Sequence, residues 1–418
     1  MPDSPNARLF IWFRLFFNCR FYYPVFTILF LDLGLSIGEF AALNVVWALT
    51  SVVLEVPSGA LADRFGRRPL VIAAGVLMVL EMSVLCLMQP GHHDLVFWLF
   101  VLNRVLSGAA EACASGADEA LAYDSLPEGA REALWPRVMA NLSRAMAVGF
   151  VISSITGAWL YTISIKLPVL LCLATAIASL VCTLRMTESW TTPKNVPLLA
   201  SIRETWASIL RTGGWIWRTR AAFALIVFGL VFDSMIRLFL TVASNFYRLV
   251  GIEEGWFGVI GTCVSLLGLF TASLMEKATR RMSGTVNFTW LALVVLGGLF
   301  AAAYPAQGWS GVVLVVPLFL GMRFLQFFLS HYMNAVVDSA QRATALSFRG
   351  LTINLSYGLT TLLFGWHTGH LAKETGLPTD DIQVFAGSLK YWPWWFAGTL
   401  LIAGACVLAR RFGKTGDA

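Results

Sequence analysis

The sequence Gly59-Ala-Leu-Ala-Asp63-Arg64-Phe-Gly66-Arg67-Arg68 joins two long apolar segments near the N-terminus. Gly66 permits a tight turn in this connection, and Gly59 permits two helices to approach closely. Asp63 falls where the preceding helix is expected to end, and the helix dipole disfavours a carboxylate there unless a cation lies nearby. Arg67 and Arg68 can supply that cation. The stretch therefore predicts a short, charged loop between two antiparallel membrane-spanning helices.

The composition of the whole chain indicates a polytopic membrane protein. Of its 418 residues, 57% are hydrophobic and only 13% are charged, and the mean hydropathy is +0.71. Soluble domains carry about 25% charged residues. The net charge of +6 comes from short basic clusters between apolar runs, which argues against a nucleic-acid-binding face. These values exclude a water-soluble enzyme, a DNA-binding protein, a secreted disulfide scaffold and a disordered chain.

A membrane-spanning helix needs about 20 apolar residues, and twelve segments reach or approach that length. We predict them near residues 10–31, 40–61, 69–89, 95–121, 138–161, 167–186, 221–244, 255–275, 286–305, 311–335, 345–366 and 391–412. With the N-terminus inside, the inner loops carry about 20 of the 30 Lys and Arg and the outer loops about 4. The positive-inside rule then predicts that both termini are cytoplasmic.

The chain also contains an internal repeat. The matching pairs, at offsets of 213 to 219 residues, are Asp63–Arg68 with Glu276–Arg281, Asn141–Ser143 with Asn354–Ser356, Asp124–Ser125 with Asp338–Ser339, and Arg104 with Arg323. They predict a duplicated bundle, with an N-terminal six-helix half at 1–188, a cytoplasmic linker at 189–220 and a C-terminal six-helix half at 221–418. The linker pattern fits either an interfacial amphipathic helix or a solvated connection.

The loop at 59–68 resembles the inner-loop signature of the major facilitator superfamily, and the degenerate copy at 276–281 lies where that family repeats it. Arg104 and Gly108 resemble a second family motif. Asp118 resembles the acid that in this family meets the inner-loop arginine and latches the outward-open state, which implies a cluster of Asp63, Arg67 and Asp118. The glycine-proline motif of many drug/proton antiporters is missing from residues 147–159. The resemblance implies an all-α fold of twelve helices in two pseudo-symmetric halves that rock about a site near the midplane.

Ionisable groups at membrane depth are candidates for function, because burying them in the bilayer is costly. The family resemblance implies that the first, fourth, seventh and tenth helices line the cavity. The side chains on these helices that could bind substrate or a coupling proton are Arg20, Arg104, Glu111, Asp233, Arg237, Arg323 and Gln326. Glu55 and Glu81 are more consistent with structural roles, with Glu81 facing either Arg104 or an outer crevice.

Two of these groups leave alternatives open. Glu111 lies about 16 Å from the inner end of its helix, near the midplane, where it could carry a proton or form an interhelical hydrogen bond or ion pair. Asp233 and Arg237, four residues apart, could neutralise each other in a binding site or only to support the fold. Arg20 precedes Pro24, which can bend the first helix. Together, Arg20, Arg104 and Arg323 favour a substrate with a carboxylate or another anionic group.

These observations predict a secondary active transporter of a small organic solute in the inner membrane, coupled to H⁺. Export of the solute is consistent with these observations, and import of an anionic nutrient or a metal chelate is the alternative. A receptor that keeps a transporter fold is a hypothesis from another class, which the intact loop at 59–68 argues against; a lipid carrier is a third possibility. The sequence has no phosphate-binding loop, catalytic cluster or metal-ligand spacing. We therefore expect no enzymatic activity, no cofactor, no metal and no nucleic-acid partner, and a monomer in the lipid bilayer.

Overall fold

The computed structural model describes residues 4–188, 197–337 and 342–412, which fold into helices without any strand in those ranges. The helices are α1 (Pro5–Asn18), α2 (Phe26–Asp32), α3 (Ile37–Phe65), α4 (Arg67–Leu87), α5 (His93–Ala114), α6 (Ala117–Asp124), α7 (Arg131–Ile163), α8 (Lys166–Arg185), α9 (Leu198–Arg218), α10 (Arg220–Leu249), α11 (Phe257–Arg281), α12 (Gly284–Ala303), α13 (Trp309–Val336), α14 (Arg342–Thr375), α15 (Ile382–Leu389) and α16 (Trp392–Phe412). In the described ranges, ten helical segments are long and apolar enough to cross a membrane. The predicted all-α polytopic fold is therefore confirmed.

Local sequence explains where several helices begin. Ser4 accepts a hydrogen bond from the backbone N–H of Ala7 at 3.4 Å, and Ser283 accepts one from Val286 at 3.4 Å. Asp381 caps α15 in the same way, at 2.7 Å from the N–H of Gln383. Between such caps the chain is apolar, and a helix satisfies every backbone polar group within one segment, as lipid requires.

The first predicted span is not a single helix. The prediction of one helix over residues 10–31 is wrong, because α1 ends at Asn18 and α2 begins at Phe26. The freed backbone groups find partners on α8, where the N–H of Phe21 donates to Cys172 Sγ at 3.1 Å and Thr175 Oγ1 donates to the carbonyl of Cys19 at 3.3 Å. Tertiary contacts therefore stabilise the break that Pro24 permits.

Gly157 on α7 packs directly against this break, and a Cβ there would overlap the carbonyl group of Phe21. We expect Gly157→Ala to lower the free energy of unfolding by about 1–3 kcal/mol, because backbone on both sides must shift. Gly404 is the matched control, since a Cβ there meets nothing within 4 Å among the described residues. Gly404→Ala should be neutral or stabilising by up to about 1 kcal/mol. Equilibrium unfolding in mixed micelles compares the two, and equal effects would contradict the close packing.

Glycines shape two other connections. Gly66 alone separates α3 from α4 and has φ +96°, so the tight turn predicted in the loop at 59–68 is present. The span predicted at 95–121 is divided into α5 and α6, with Gly116 at φ +73° between them. Positive φ is accessible to glycine at little cost, which explains why the chain can turn at these positions.

The described helices fall into two compact units. The first unit comprises Met1–Leu35, Val46–Trp206 and Glu254–Thr262, and the second comprises Ser36–Val45, Ala207–Glu253 and Cys263–Ala418. In the first unit α4 packs against α5 and α8, and α1 packs against α7 and α8. In the second unit α12 packs against α13 and α16, and α10 packs against α14 and α16. Equivalent helices thus pair in the same way, as a duplicated bundle requires. The predicted domain boundaries at 188 and 220 stay predictions.

The connection predicted at 189–220 contains α9, whose C-terminal part packs in the second unit. Ile209, Thr212 and Ile216 form its buried face, and Ile216 joins an apolar cluster with Ala222 and Ile226 of α10. Residues 189–196 of the linker and the repeat match at Asp338–Ser339 lie outside the described residues. The interfacial location of α9 stays a prediction.

Candidate substrate and coupling sites

A buried charge cluster lies in the first unit, where the break after α1 meets α4 and α5. Arg20 Nη1 donates to Glu81 Oε1 at 2.9 Å, and Arg104 Nη2 lies 3.7 Å from the same oxygen. The Arg20, Arg104 and Glu81 side chains are 2%, 5% and 0% exposed. Two guanidinium groups therefore share one carboxylate, and the cluster has an excess of one positive charge. Glu81 contacts both arginines, so of the two orientations left open by the sequence the structure has the one toward Arg104.

Neighbouring side chains hold Arg104 in a fixed position. Its Nε and Nη2 donate to Asn103 Oδ1 at 3.0 and 2.6 Å, while Asn103 Nδ2 donates to the carbonyl of Glu81 at 2.9 Å. The guanidinium carbon also lies 5.6 Å from the Phe26 ring centre and 5.4 Å from that of Phe30. Cation–π contacts of this kind stabilise a desolvated arginine, so the excess charge is fixed in place.

Glu111 on α5 differs from Glu81 because its side chain has no hydrogen bond or ion pair with any described residue. Its side chain is half-buried, and it interacts electrostatically with Arg20 and Arg14. A carboxylate that is near cations but not bound to them can change protonation without breaking a structural contact. This arrangement is suited to proton exchange, and the predicted coupling role stays a prediction.

A second charge cluster lies in the second unit and joins α10, α13 and α14. Arg237 Nη2 lies 2.8 Å from Asp233 Oδ2, and Gln326 Nε2 donates to Asp233 Oδ1 at 3.2 Å. Arg349 Nη2 in turn donates to Gln326 Oε1 at 3.1 Å. Asp233 is fully buried, whereas the Arg237 side chain is 27% exposed and Arg349 is half-buried. Here too, two arginines accompany one carboxylate.

Sequence reasoning placed Asp233, Arg237 and Gln326 in one site but missed two further members of this cluster. Arg349 is not among the predicted binding residues, and Asn354, which accepts from Arg237 Nη1 at 3.1 Å, is predicted only as part of the repeat. The Arg237 guanidinium also lies 5.4 Å from the Tyr357 ring centre. The polar residues Arg349 and Asn354 inside an apolar segment were a usable signal, since polar groups at membrane depth are rare.

Arg323 does not join the cluster around Asp233. It is exposed, and its guanidinium lies over Gly268 of α11, where a Cβ would be 2.6 Å from Arg323 Cζ. Among the described residues it has no ion-pair or hydrogen-bond partner. The structure therefore separates Arg323 from the other predicted binding residues of its half.

The charged loop at 59–68 makes contacts that differ from the expected latch. Arg67 pairs with Asp124 at the end of α6, and Asp118 pairs with Arg14 on α1, whose Nη2 donates to Asp118 Oδ1 at 2.9 Å. The structure thus does not bring Arg67 to Asp118. The latch stays a prediction for another conformation, in which Arg67 would leave Asp124 and pair with Asp118 on the same helix.

The remaining loop residues have simpler surroundings. Arg68 donates to the carbonyls of Met186 and Leu184 at 2.6 and 3.2 Å, which satisfies the C-terminal end of α8. Asp63 and Arg64 are exposed, and Arg64 lies over the Phe65 ring. A Cβ on Gly59 would meet nothing within 4 Å among the described residues, so the close helix approach predicted at Gly59 is not present.

Comparison with known proteins assigns the family. The sequence profile of the Major Facilitator Superfamily matches residues 9–361, more than four-fifths of the chain. This chain belongs to the major facilitator superfamily. The family resemblance inferred from the loop at 59–68 is thereby confirmed, and the chain is a multi-pass membrane protein of a transporter family with small-molecule substrates.

The relatives of this chain are distant from it in sequence, and solved transporter structures have a similar fold. The inner membrane transport protein YajR of Escherichia coli (strain K12) is 28% identical over 125 residues, which cover 30% of this chain and 23% of that protein. A bacterial homologue of the human lysosomal transporter Spinster, in an inward-facing and unoccupied conformation, has a TM-score of 0.71 at 16% identity over 98% of both chains. The nucleoside transporter NupG has a TM-score of 0.70 at 12% identity over 97% of this chain and 98% of that chain.

Proposed function

We propose that this superfamily member is a secondary active transporter that moves a small organic anion together with a proton. The observation that carries the proposal is the excess of arginine in both charge clusters. Arg20 and Arg104 share Glu81, and Arg237 and Arg349 accompany Asp233. An uncompensated guanidinium at membrane depth is costly, and an anionic substrate would supply the missing counter-charge. Arginine also suits a carboxylate because its planar fork can donate two parallel hydrogen bonds.

The net charge of the first cluster depends on the protonation of Glu111, which supports proton coupling. With Glu111 ionised, the group of Arg20, Arg104, Glu81 and Glu111 has no net charge; with Glu111 protonated, it is positive by one unit. Protonation therefore favours anion binding, and linkage requires that the anion favours protonation to the same extent. A carrier in which both ligands bind together moves them in the same direction, so an inward proton gradient would drive uptake.

Charge distribution along the chain supports the orientation that we propose. The excess of Lys and Arg in the loops on one side favours an orientation in the inner membrane with both termini in the cytoplasm. We also propose that the protein acts as a monomer and without enzymatic activity. Drug export is less favoured, because residues 147–159 contain Gly149 and Gly157 but no proline.

Proton flux in sealed vesicles that contain the purified protein tests this function. We expect a panel of mono- and dicarboxylates to include one that evokes proton movement, whereas cationic drugs evoke none. Glu111→Gln should reduce that proton signal at least tenfold but retain exchange of labelled for unlabelled anion, because glutamine has the same shape and cannot titrate. A protein that binds an anion yet moves neither anion nor proton would contradict transport and favour a receptor.

Glu55 on α3 provides the matched control for Glu111. It is also half-buried and also has no ion-pair partner among the described residues. Glu55→Gln should leave the substrate-evoked proton signal at the wild-type level. If Glu55→Gln abolished the signal and Glu111→Gln did not, the coupling proton would have to be assigned to α3.

A further inference from the structure

The second unit contains an apolar pocket that the charge clusters do not use. Its volume is about 520 Å³, within the range of roughly 300–1,000 Å³ that small-molecule sites occupy. Residues of α10, α12, α13 and α16 line it, among them Ala224, Phe228, Phe288 and Ala292. Two of the three polar side chains in its wall are already hydrogen-bonded, since Tyr332 Oη accepts from Asn287 at 2.7 Å and Thr289 donates to the Thr285 carbonyl at 2.9 Å. The pocket therefore suits a hydrocarbon chain rather than a polar solute.

The pocket is deep enough to extend through one leaflet of a membrane. Its lining begins at Ala221 and Gly284, near the first residues of α10 and α12, and reaches Phe232 and Ala292. At 1.5 Å per residue this is a depth of about 12–16 Å, which is half of the hydrocarbon thickness of about 30 Å. Leu400, near the middle of α16, also lines the pocket. The length matches one acyl chain that enters from a single face of the bilayer.

Basic residues lie next to the first lining residues of the pocket in the sequence. Arg220 directly precedes the lining residue Ala221, Arg218 precedes it by three residues, and Arg281 precedes Gly284 by three residues. All three are exposed, and none forms an ion pair with another described residue. Trp217, 63% exposed beside Arg218, is of the type that lies at headgroup level. Three positive charges at the mouth of an apolar pocket complement an anionic headgroup with a hydrocarbon tail.

We propose that the second unit binds one anionic phospholipid, with an acyl chain in this pocket and the phosphate at Arg218, Arg220 and Arg281. In the orientation proposed above, the lipid comes from the cytoplasmic leaflet. This site is independent of the transported substrate. It tethers the start of α10, the helix that carries Asp233 and Arg237, to the membrane surface.

Native mass spectrometry of the detergent-purified protein tests the site, with dipalmitoyl phosphatidylglycerol, dipalmitoyl phosphatidylcholine and palmitate as separate probes. We expect one phosphatidylglycerol to bind at least tenfold more tightly than phosphatidylcholine. Ala224→Trp and Ala292→Trp, which fill the pocket, should each weaken phosphatidylglycerol binding at least tenfold. Leu293→Trp is the control, because Leu293 is the next residue on α12 and is 55% exposed. It should bind like wild type.

A second pair of variants tests the headgroup contacts. Replacing Arg218, Arg220 and Arg281 together by glutamine should remove the preference for phosphatidylglycerol and leave phosphatidylcholine binding unchanged. The same replacement of Arg137, Arg185 and Arg211, which are exposed elsewhere, should keep the preference. If either tryptophan variant fails to elute as a single species in size-exclusion chromatography, Ala292→Leu is used in its place, because leucine also fills the pocket but is smaller.

Four outcomes would overturn the proposal. Equal affinity for the two phospholipids would show that binding does not depend on an anionic headgroup. Equal loss in Leu293→Trp and Ala292→Trp would place the lipid outside the pocket. Palmitate binding as tight as phosphatidylglycerol, or displacement of phosphatidylglycerol by the transported anion, would assign the pocket to a different occupant.

Discussion

Replacing Glu81 by glutamine is expected to lower the free energy of unfolding by about 3–5 kcal/mol, the usual cost of breaking a buried ion pair from one side. Glu81 is the shared counter-charge of Arg20 and Arg104, and the three side chains are 0%, 2% and 5% exposed. Glutamine fills the same volume but leaves two desolvated guanidinium groups without the carboxylate that they share. Equilibrium unfolding in mixed micelles, followed by tryptophan fluorescence, measures the change.

Glu276 provides the matched control for Glu81. It pairs with Arg280 at 2.6 Å, and the two side chains are 58% and 76% exposed. Solvent screens such a pair, so Glu276→Gln should cost between 0 and about 1 kcal/mol. If Glu276→Gln and Glu81→Gln had equal effects, Glu81 would not be the ionised partner of the two arginines, and the charge balance proposed for the first unit would be wrong.

Sequence patterns predicted those parts of the fold that depend on local chemistry. The turn at Gly66 and the i,i+4 pair of Asp233 and Arg237 require only neighbouring residues, and both are present. The break between α1 and α2 was only partly visible. Pro24 permits it, but Cys172 and Thr175 on α8 satisfy the freed backbone, and no local pattern shows such partners.

The charge clusters show the same limit at longer range. Glu81 lies outside the four helices that the family resemblance assigns to the cavity, yet it pairs with Arg20, 61 residues away. The choice between Asp118 and Asp124 as the partner of Arg67 likewise depends on how α6 is placed, and the break at Gly116 decides that placement. Residue type identified which side chains are unusual at membrane depth, whereas their partners required the packed structure.

In the proposed anion transporter, Arg349→Gln is expected to raise the KM for the transported anion by about 100- to 1,000-fold. Loss of a desolvated, hydrogen-bonded charge contact costs 2–5 kcal/mol or more, and each factor of ten corresponds to about 1.4 kcal/mol. The fold should tolerate the change, because the partner of Arg349 is the neutral Gln326 Oε1 at 3.1 Å. Arg237→Gln, by contrast, leaves Asp233 buried without its counter-charge and should destabilise the protein as well.

Uptake of labelled anion into proteoliposomes, together with unfolding of the same preparations, separates binding from stability. Arg349→Lys keeps the charge but loses the planar fork, so we expect an intermediate loss of about tenfold. Arg280→Gln, on the exposed surface of the same unit, removes an equal charge and should leave KM unchanged. If Arg349→Gln had the wild-type KM, Arg349 would not belong to the binding site. A drop in the unfolding free energy of this variant as large as that of Arg237→Gln would instead indicate that the second cluster is a structural network, since the Arg349 side chain donates its hydrogen bond to the neutral Gln326 and not to Asp233.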